Sequence, residues 1–364
     1  MKAVVIPTSS AGWGRDGSLA APLQSVANRP ILCHVLEALR GAAVSGAALV
    51  APRRSLEQLR AAVEAEGPEG LEVAYVPCGS GGDRRDPPEQ ALRAVVEMVG
   101  DEPCVVHAAD GLLTQQLGDL LAPSLGDRRA DVVAFAHRSA DGSATLASRR
   151  VLRHVHSALR AGAGDEGNGH GPLELTGVCL LGAGTARRLG ESSWAAGETL
   201  DLPTISERFV RTGARVRIEP AVGWLPYGGA TSELLALNRY LLDRLPGEAL
   251  TGEGVEGSNR LEGSVVVHPT ASVNSSTLVG PAIVGAGAIV QDAYIGPYTS
   301  IGAGAHIEGA EIERSVILSG ARITHIGGRL VGSVVGRDAR IFRDFSMPRA
   351  MRLSVGDGDE VALC

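Results

Sequence analysis

Lysine is almost missing from this chain: Lys2 is the single one among 34 Lys and Arg residues. Any chemistry that needs a side-chain ammonium beyond the first strand must therefore fall to arginine. Its planar, forked head does not copy a compact point charge. The bias matches a GC-rich coding sequence. Long apolar runs are missing too, and no stretch approaches the ~18 residues of a membrane span. The opening Met1–Pro7 turns polar too soon for a secretory leader. Cysteine pairs of the Cys-x-x-Cys type are absent: the five cysteines stand apart at 33, 78, 104, 179 and 364. That odd, scattered set argues against a disulfide framework or a zinc site and points to a reducing cytoplasm. Excess positive charge is absent as well. The net charge of −7 gives no reason to expect nucleic acid or an anionic membrane as partner.

What is present is enough for two domains. The chain has 364 residues, 44% apolar and 21% charged, an ordinary balance for a soluble protein with a sizeable core. Residues 1–250 alternate short apolar runs with amphipathic stretches. Strands are expected at 3–6, 47–51, 73–76 and 104–108, with helices at 29–40, 56–65 and 88–99 between them. This β-α-β alternation predicts a parallel sheet with helices on both faces. Further strands are expected at 132–136 and 177–181, and helices at 204–212 and 232–245; Ala163–Gly171 is a glycine-rich loop.

After a glycine-bearing linker at 251–259 the period changes to six. Val267, Val273 and Val279 share one phase, and Ile283, Ile289, Ile295, Ile301 and Ile307 form an unbroken second series. Ile317, Ile323, Val335 and Ile341 continue on a third, interrupted by Arg329. A hexapeptide repeat stacks short strands into a left-handed parallel β-helix over residues 260–345, with these aliphatic residues expected inside the prism. Residues 346–364 remain as a tail.

Several segments carry a family resemblance. Val26-Ala27-Asn28-Arg29-Pro30-Ile31-Leu32 is similar to the Val-Ala-Asn-Lys-Pro-Ile-Leu of sugar nucleotidyltransferases, and Val35–Leu39 extends it. Leu235–Tyr240 resembles the helix closing their catalytic domain. Gly280–Ile283, Ile295–Gly302 and Pro348–Leu353 resemble the long form of glucose-1-phosphate thymidylyltransferase. The resemblance implies an α/β Rossmann-like catalytic domain before the β-helix, and a reaction in which a sugar phosphate attacks a nucleotide's α-phosphate.

Such a transfer needs bare backbone around the triphosphate, a cation, and metal-held oxygens. The family's Gly-Gly-x-Gly-Thr-Arg-Leu loop is replaced by Pro7–Gly17, where Gly12, Gly14 and Arg15 offer a shifted copy, Trp13 adds bulk and Asp16 adds negative charge. Ala21 stands where the family has a phosphate-contacting lysine; Arg15 and Arg29 are the nearby cations. Asp110, ending the strand Val105–Ala108, matches the first metal carboxylate, or else caps the following turn. The second carboxylate of the family's Trp-x-Asp-x-Gly falls on Pro226 in Trp224–Gly228. The sugar-phosphate lysine has no counterpart; Arg149, Arg150 and Arg153 beside His154 and His156 have the spacing of a solvated face. Cys78–Pro87 replaces the base-reading segment, and Gln90 echoes it.

The resulting expectation is a nucleotidyltransferase-like protein with a dismantled phosphoryl-transfer site, repurposed for small-molecule binding or other chemistry in secondary metabolism, or non-catalytic. Asp110, His107 and Glu174 are its candidate acid–base residues, with His170 behind them; Gly12, Trp13, Gly14, Arg15, Gln90, Trp224 and Tyr227 are its candidate ligand contacts. Two alternatives stand beside it. One is an active sugar-1-phosphate nucleotidyltransferase, the only case in which Mg²⁺ is expected, at Asp110. The other is a hexapeptide acyltransferase using His306 or His325. No other cofactor is expected. The β-helix predicts a homodimer or homotetramer, because open coil ends and apolar outer faces favour burial between subunits.

Overall fold

The computed structural model describes residues 1–7, 20–79, 86–126, 129–138, 173–192, 194, 198, 200–247, 255 and 258–343. It divides into two compact units, Met1–Arg244 and Leu245–Cys364. No helix among the described residues is long and apolar enough to cross a membrane.

In the first unit, strands β1 (Lys2–Ile6), β2 (Ser25–Val26), β3 (Arg29–Pro30), β4 (Gly46–Ala51), β5 (Glu72–Pro77), β6 (Cys104–Ala108), β7 (Gly111–Leu113), β8 (Val132–Arg138), β9 (Leu173–Leu181), β10 (Val216–Pro220) and β11 (Trp224–Pro226) follow in chain order. The helices are α1 (Ile31–Gly41), α2 (Arg53–Glu66), α3 (Pro88–Val99), α4 (Leu117–Leu121), α5 (Thr185–Glu191), α6 (Leu202–Arg211) and α7 (Thr231–Leu242). Seven strands form one sheet in the order β10-β8-β9-β6-β1-β4-β5. β1 and β4 are buried almost throughout, which explains their unbroken apolar runs. The chain steps one way from β1 to β4 to β5, then back across to β6. Right-handed crossovers therefore put α1 and α2 on one face and α3 on the other.

One expectation changes here. The sheet is mixed, because β9 runs antiparallel to both β6 and β8. A fully buried strand has the same apolar look in either direction, so its sense was not readable from composition. The β7–β11 ribbon and β10 were also not anticipated; both are short or half-exposed.

The second unit is a left-handed β-helix of three five-stranded parallel sheets. Its inward residues run Val267, Val273, Leu278 (in the place expected of half-buried Val279), Val284, Val290, Ile295, Ile301, Ile307, Ile312, Ile317 and Ile323, all buried. Register pairs Val267 with Val284 and Val273 with Val290, so the first coils take 17 residues rather than three full hexads, while Ile307 pairs with Ile323 at 16 and Ile323 with Ile341 at 18. A series spaced by six therefore slips a residue in each of the first coils, and a one-residue slip turns the side chain to the other face. That corrects the isoleucine series: Ile295, Ile301 and Ile307 point in, whereas Ile283 is half-buried and Ile289 is 41% exposed. Arg329 interrupts nothing, since neighbouring Leu330 packs against the core. The tail 346–364 lies outside the described residues.

Candidate functional site at the strand-order reversal

The strand sequence reverses between β1 and β6, and open α/β sheets bind ligands beyond the carboxyl ends of strands at such a point. Ala109 N–H donates to the Ile6 carbonyl at 2.7 Å, drawing the two strand ends together. Asp110 follows in the turn and is buried at 2% exposure. Gly12, Trp13, Gly14 and Arg15, on the loop after β1, lie outside the described residues, as do His154, His156, His170 and the Arg149–Arg153 run.

Beyond β6 the chain turns into β7, which pairs antiparallel with β11 so that Gly111 faces Pro226 and Leu113 faces Trp224. Tyr227 N–H extends the ribbon by donating to the Asp110 carbonyl at 2.8 Å. Position 226 thus sits one rung from Asp110. Pyrrolidine carries no donor, so this pair of positions does not fit a two-carboxylate clamp for Mg²⁺. Among the described residues no cluster of three or more His, Cys, Asp and Glu is arranged to hold a metal. Tyr227 is half-buried, and burial, then Glu233, pushes its phenol up.

Trp224 and His107 form the floor beneath this corner. A Cβ on Gly177 would come within 2.2 Å of the Trp224 ring, and one on Gly111 within 2.4 Å. The bare backbone of two glycines 66 positions apart makes the seat for the indole. The His107 ring meets it edge-on, centroids 6.0 Å apart. His107 Nδ1 lies 2.7 Å from the Ala108 carbonyl oxygen, and burial lowers its pKa to about 4, so the ring is neutral at physiological pH. Both side chains are committed to packing. Glu174 opens β9 in register with His137. Because β9 is antiparallel and pairs Val178 with His107, Glu174 lies past the end of β6, at the same sheet edge as Asp110.

Among the described residues, the two cations nearest the family's motifs are engaged elsewhere. Arg29 donates to the Glu66 carbonyl at 2.6 Å, closing the C-terminus of α2. Lys2 pairs loosely with Glu72 at 3.9 Å, at the opposite end of β1. Five residues of strand, about 16 Å at roughly 3.3 Å each, separate it from the ligand edge. Ala21 opens a short 3₁₀ turn and offers no charge. Cys78 is buried and its thiol is pushed up to about 11, chiefly by burial. Next to it, Gly79 N–H donates to the Asp86 carbonyl at 2.6 Å, and Arg53 clamps the buried Asp86 carboxylate at 2.5 Å. Gln90 is exposed in the first turn of α3.

Asp201 was not anticipated. It is buried at the mouth of β1, where its carboxylate accepts from Thr204 N–H at 3.0 Å and caps α6; Leu202 N–H reaches the Pro7 carbonyl at 3.4 Å. The signal was present as Asp-x-Pro, an N-cap followed by proline in the first helical turn.

Two segments of the family resemblance meet physically. Ala27 and Asn28 take positive φ of 45° and 65°, turning β2 tightly into β3. The buried Asn238 of α7 accepts from Ala27 N–H at 2.9 Å and fixes that turn. On the β-helix, His306 and His325 share the carboxylate of Glu308, at 3.2 and 3.4 Å.

The MobA-like NTP transferase domain matches residues 15–170. A glucose-1-phosphate thymidylyltransferase of Streptomyces antibioticus is 28% identical over 100% of this chain and 99% of its own length. One from Streptomyces griseus is 25% identical over 93% and 92%. A low-salt glycan biosynthesis nucleotidyltransferase of Haloferax volcanii is 24% identical over the whole of both chains. A solved structure described as a glucose-1-phosphate thymidylyltransferase from Bacillus anthracis, in complex with sucrose, superposes with a TM-score of 0.51 at 13% identity. It covers 68% of this chain and 98% of that one, a likeness of fold.

Proposed function

Because the chain belongs to the sugar nucleotidyltransferase family, we propose that it keeps the family's cleft as a binding site for a sugar-derived small molecule without nucleotidyl transfer. The observation that supports this reading is Pro226 in register with Gly111, one position from Asp110. The metal clamp has lost a donor, and the phosphate-contacting lysine position holds Ala21. Removing one contact to the developing charge costs roughly 2.7–4 kcal/mol of transition-state stabilisation in comparable sites. Losses at one site do not simply add, yet each described cation near the cleft has another task. The ligand is of low charge and small, and neither nucleic acid nor membrane is a partner. The cytoplasm and secondary metabolism are the proposed setting, in keeping with the two Streptomyces relatives. A homodimer or homotetramer is the proposed assembly.

The competing reading, an active sugar-1-phosphate nucleotidyltransferase, is favoured by Asp110 standing at the strand-order reversal and by similarity along the whole chain. Calorimetric titration with nucleoside triphosphates plus Mg²⁺ separates the two. Binding weaker than millimolar is expected, and micromolar binding would overturn the proposal.

A further inference from the structure

One corner of the β-helix carries a groove of about 610 Å³, within the size range of small-molecule sites. At the first three corners the step from one inward residue to the next takes five residues: Val273 to Leu278, Val290 to Ile295, Ile307 to Ile312. At the last, from Ile323 to Leu330, it takes seven. In this longer step, Ile326, Gly327 and Gly328 line the groove. The seat of this step is specific. Gly309 has φ of 56°, and a Cβ there would stand 2.5 Å from His325 Nδ1. Ile326 packs against the core.

Two columns of side chains line the groove. Thr277, Tyr294, Glu311 and Arg329 stand in register coil to coil, about 4.8 Å apart. Ser275 and Asp292 occupy the neighbouring corner column, both with positive φ. Arg329 lies 5.1 Å from the Tyr294 ring centre and pairs with Glu311 at 3.0 Å and Glu313 at 3.4 Å, so its charge is already neutralised.

This lining combines an aromatic ring, hydroxyls, carboxylate acceptors and open glycine backbone. The carboxylates of Asp292, Glu311 and Glu313 outnumber the single Arg329 guanidinium, and the net negative charge disfavours a phosphate group. A polyhydroxylated neutral ligand meets no such penalty: its hydroxyls donate to the carboxylates as charge-assisted hydrogen bonds, and its C–H face lies on Tyr294. We propose that the groove is a subsite for an unphosphorylated saccharide, of mono- or disaccharide size. The proposal is independent of what the α/β cleft does.

The test is calorimetry on the full chain with glucose, galactose, N-acetylglucosamine and maltose, alongside glucose 1-phosphate and inorganic phosphate. At least one free sugar is expected to bind at millimolar affinity or better, weakened tenfold or more by Tyr294→Ala and by Asp292→Asn. Asparagine accepts positive φ, so the second variant keeps the fold; circular dichroism checks both. Three results would overturn the proposal: no free sugar binding, binding unchanged in both variants, or phosphate binding more tightly than every free sugar. Binding abolished by Asp110→Asn and untouched by the groove variants would assign the sugar to the cleft, sinking this inference while leaving the proposed function in place.

Discussion

His107 shows how far a residue's chemistry depends on its surroundings. In an unfolded chain its imidazole titrates near pH 6.5, whereas burial lowers it to about 4 in the fold. Between those values the unfolded chain takes up a proton that the folded one refuses, so stability falls as pH drops through that window. The full gap corresponds to about 3.5 kcal/mol at roughly 1.4 kcal/mol per pH unit, most of it expressed by pH 4. Comparing denaturant stability of the wild type and His107→Gln from pH 7 to 4, the wild type should lose up to about 3 kcal/mol more. His34, also lowered to about 4, is common to both proteins and cancels. Parallel profiles would contradict the buried, neutral assignment. The place of Asp110, in the turn after β6, was legible in the sequence because it directly follows an apolar strand. The seat of Trp224 was not, since it is made by Gly111 and Gly177, which only the antiparallel return of β9 brings together.

Among the elements, the β-helix was legible as a fold and misread in phase. Apolar residues every six positions are enough to signal stacked coils, but the 17-residue coils at the start shift the inward register. Nothing in a run of isoleucines says which of them has slipped outside. The consequence is measurable. Ile307→Ala, in the closed core, should cost about 2–5 kcal/mol in chemical denaturation. Ile289→Ala, on the outer surface, should stay within about 0.5 kcal/mol. Equal losses would contradict the register. In the α/β unit, helix and strand spans followed apolar periodicity closely, and the α3 boundaries agree at both ends, Pro88 and Val99. Strand direction and the β7–β11 ribbon needed long-range pairing that local pattern does not encode.

For the whole molecule, the proposal is that the scaffold was kept and the phosphoryl-transfer chemistry was not. The hairpin at Ala27–Asn28 and its Asn238 anchor, the strand-order reversal and the β-helix persist. Arg29 and Lys2 serve the scaffold, and Pro226 pairs with Gly111 next to Asp110. On the proposed reading, the described part of the cleft offers little to offset the mutual repulsion of a triphosphate and a sugar phosphate. The most direct measurement is pyrophosphate release by the full chain with Mg²⁺, across all common nucleoside triphosphates paired with a panel of sugar 1-phosphates. The expected result is no release above background, with none restored by Pro226→Asp alone. Release by the unaltered protein that Asp110→Asn abolishes would contradict it.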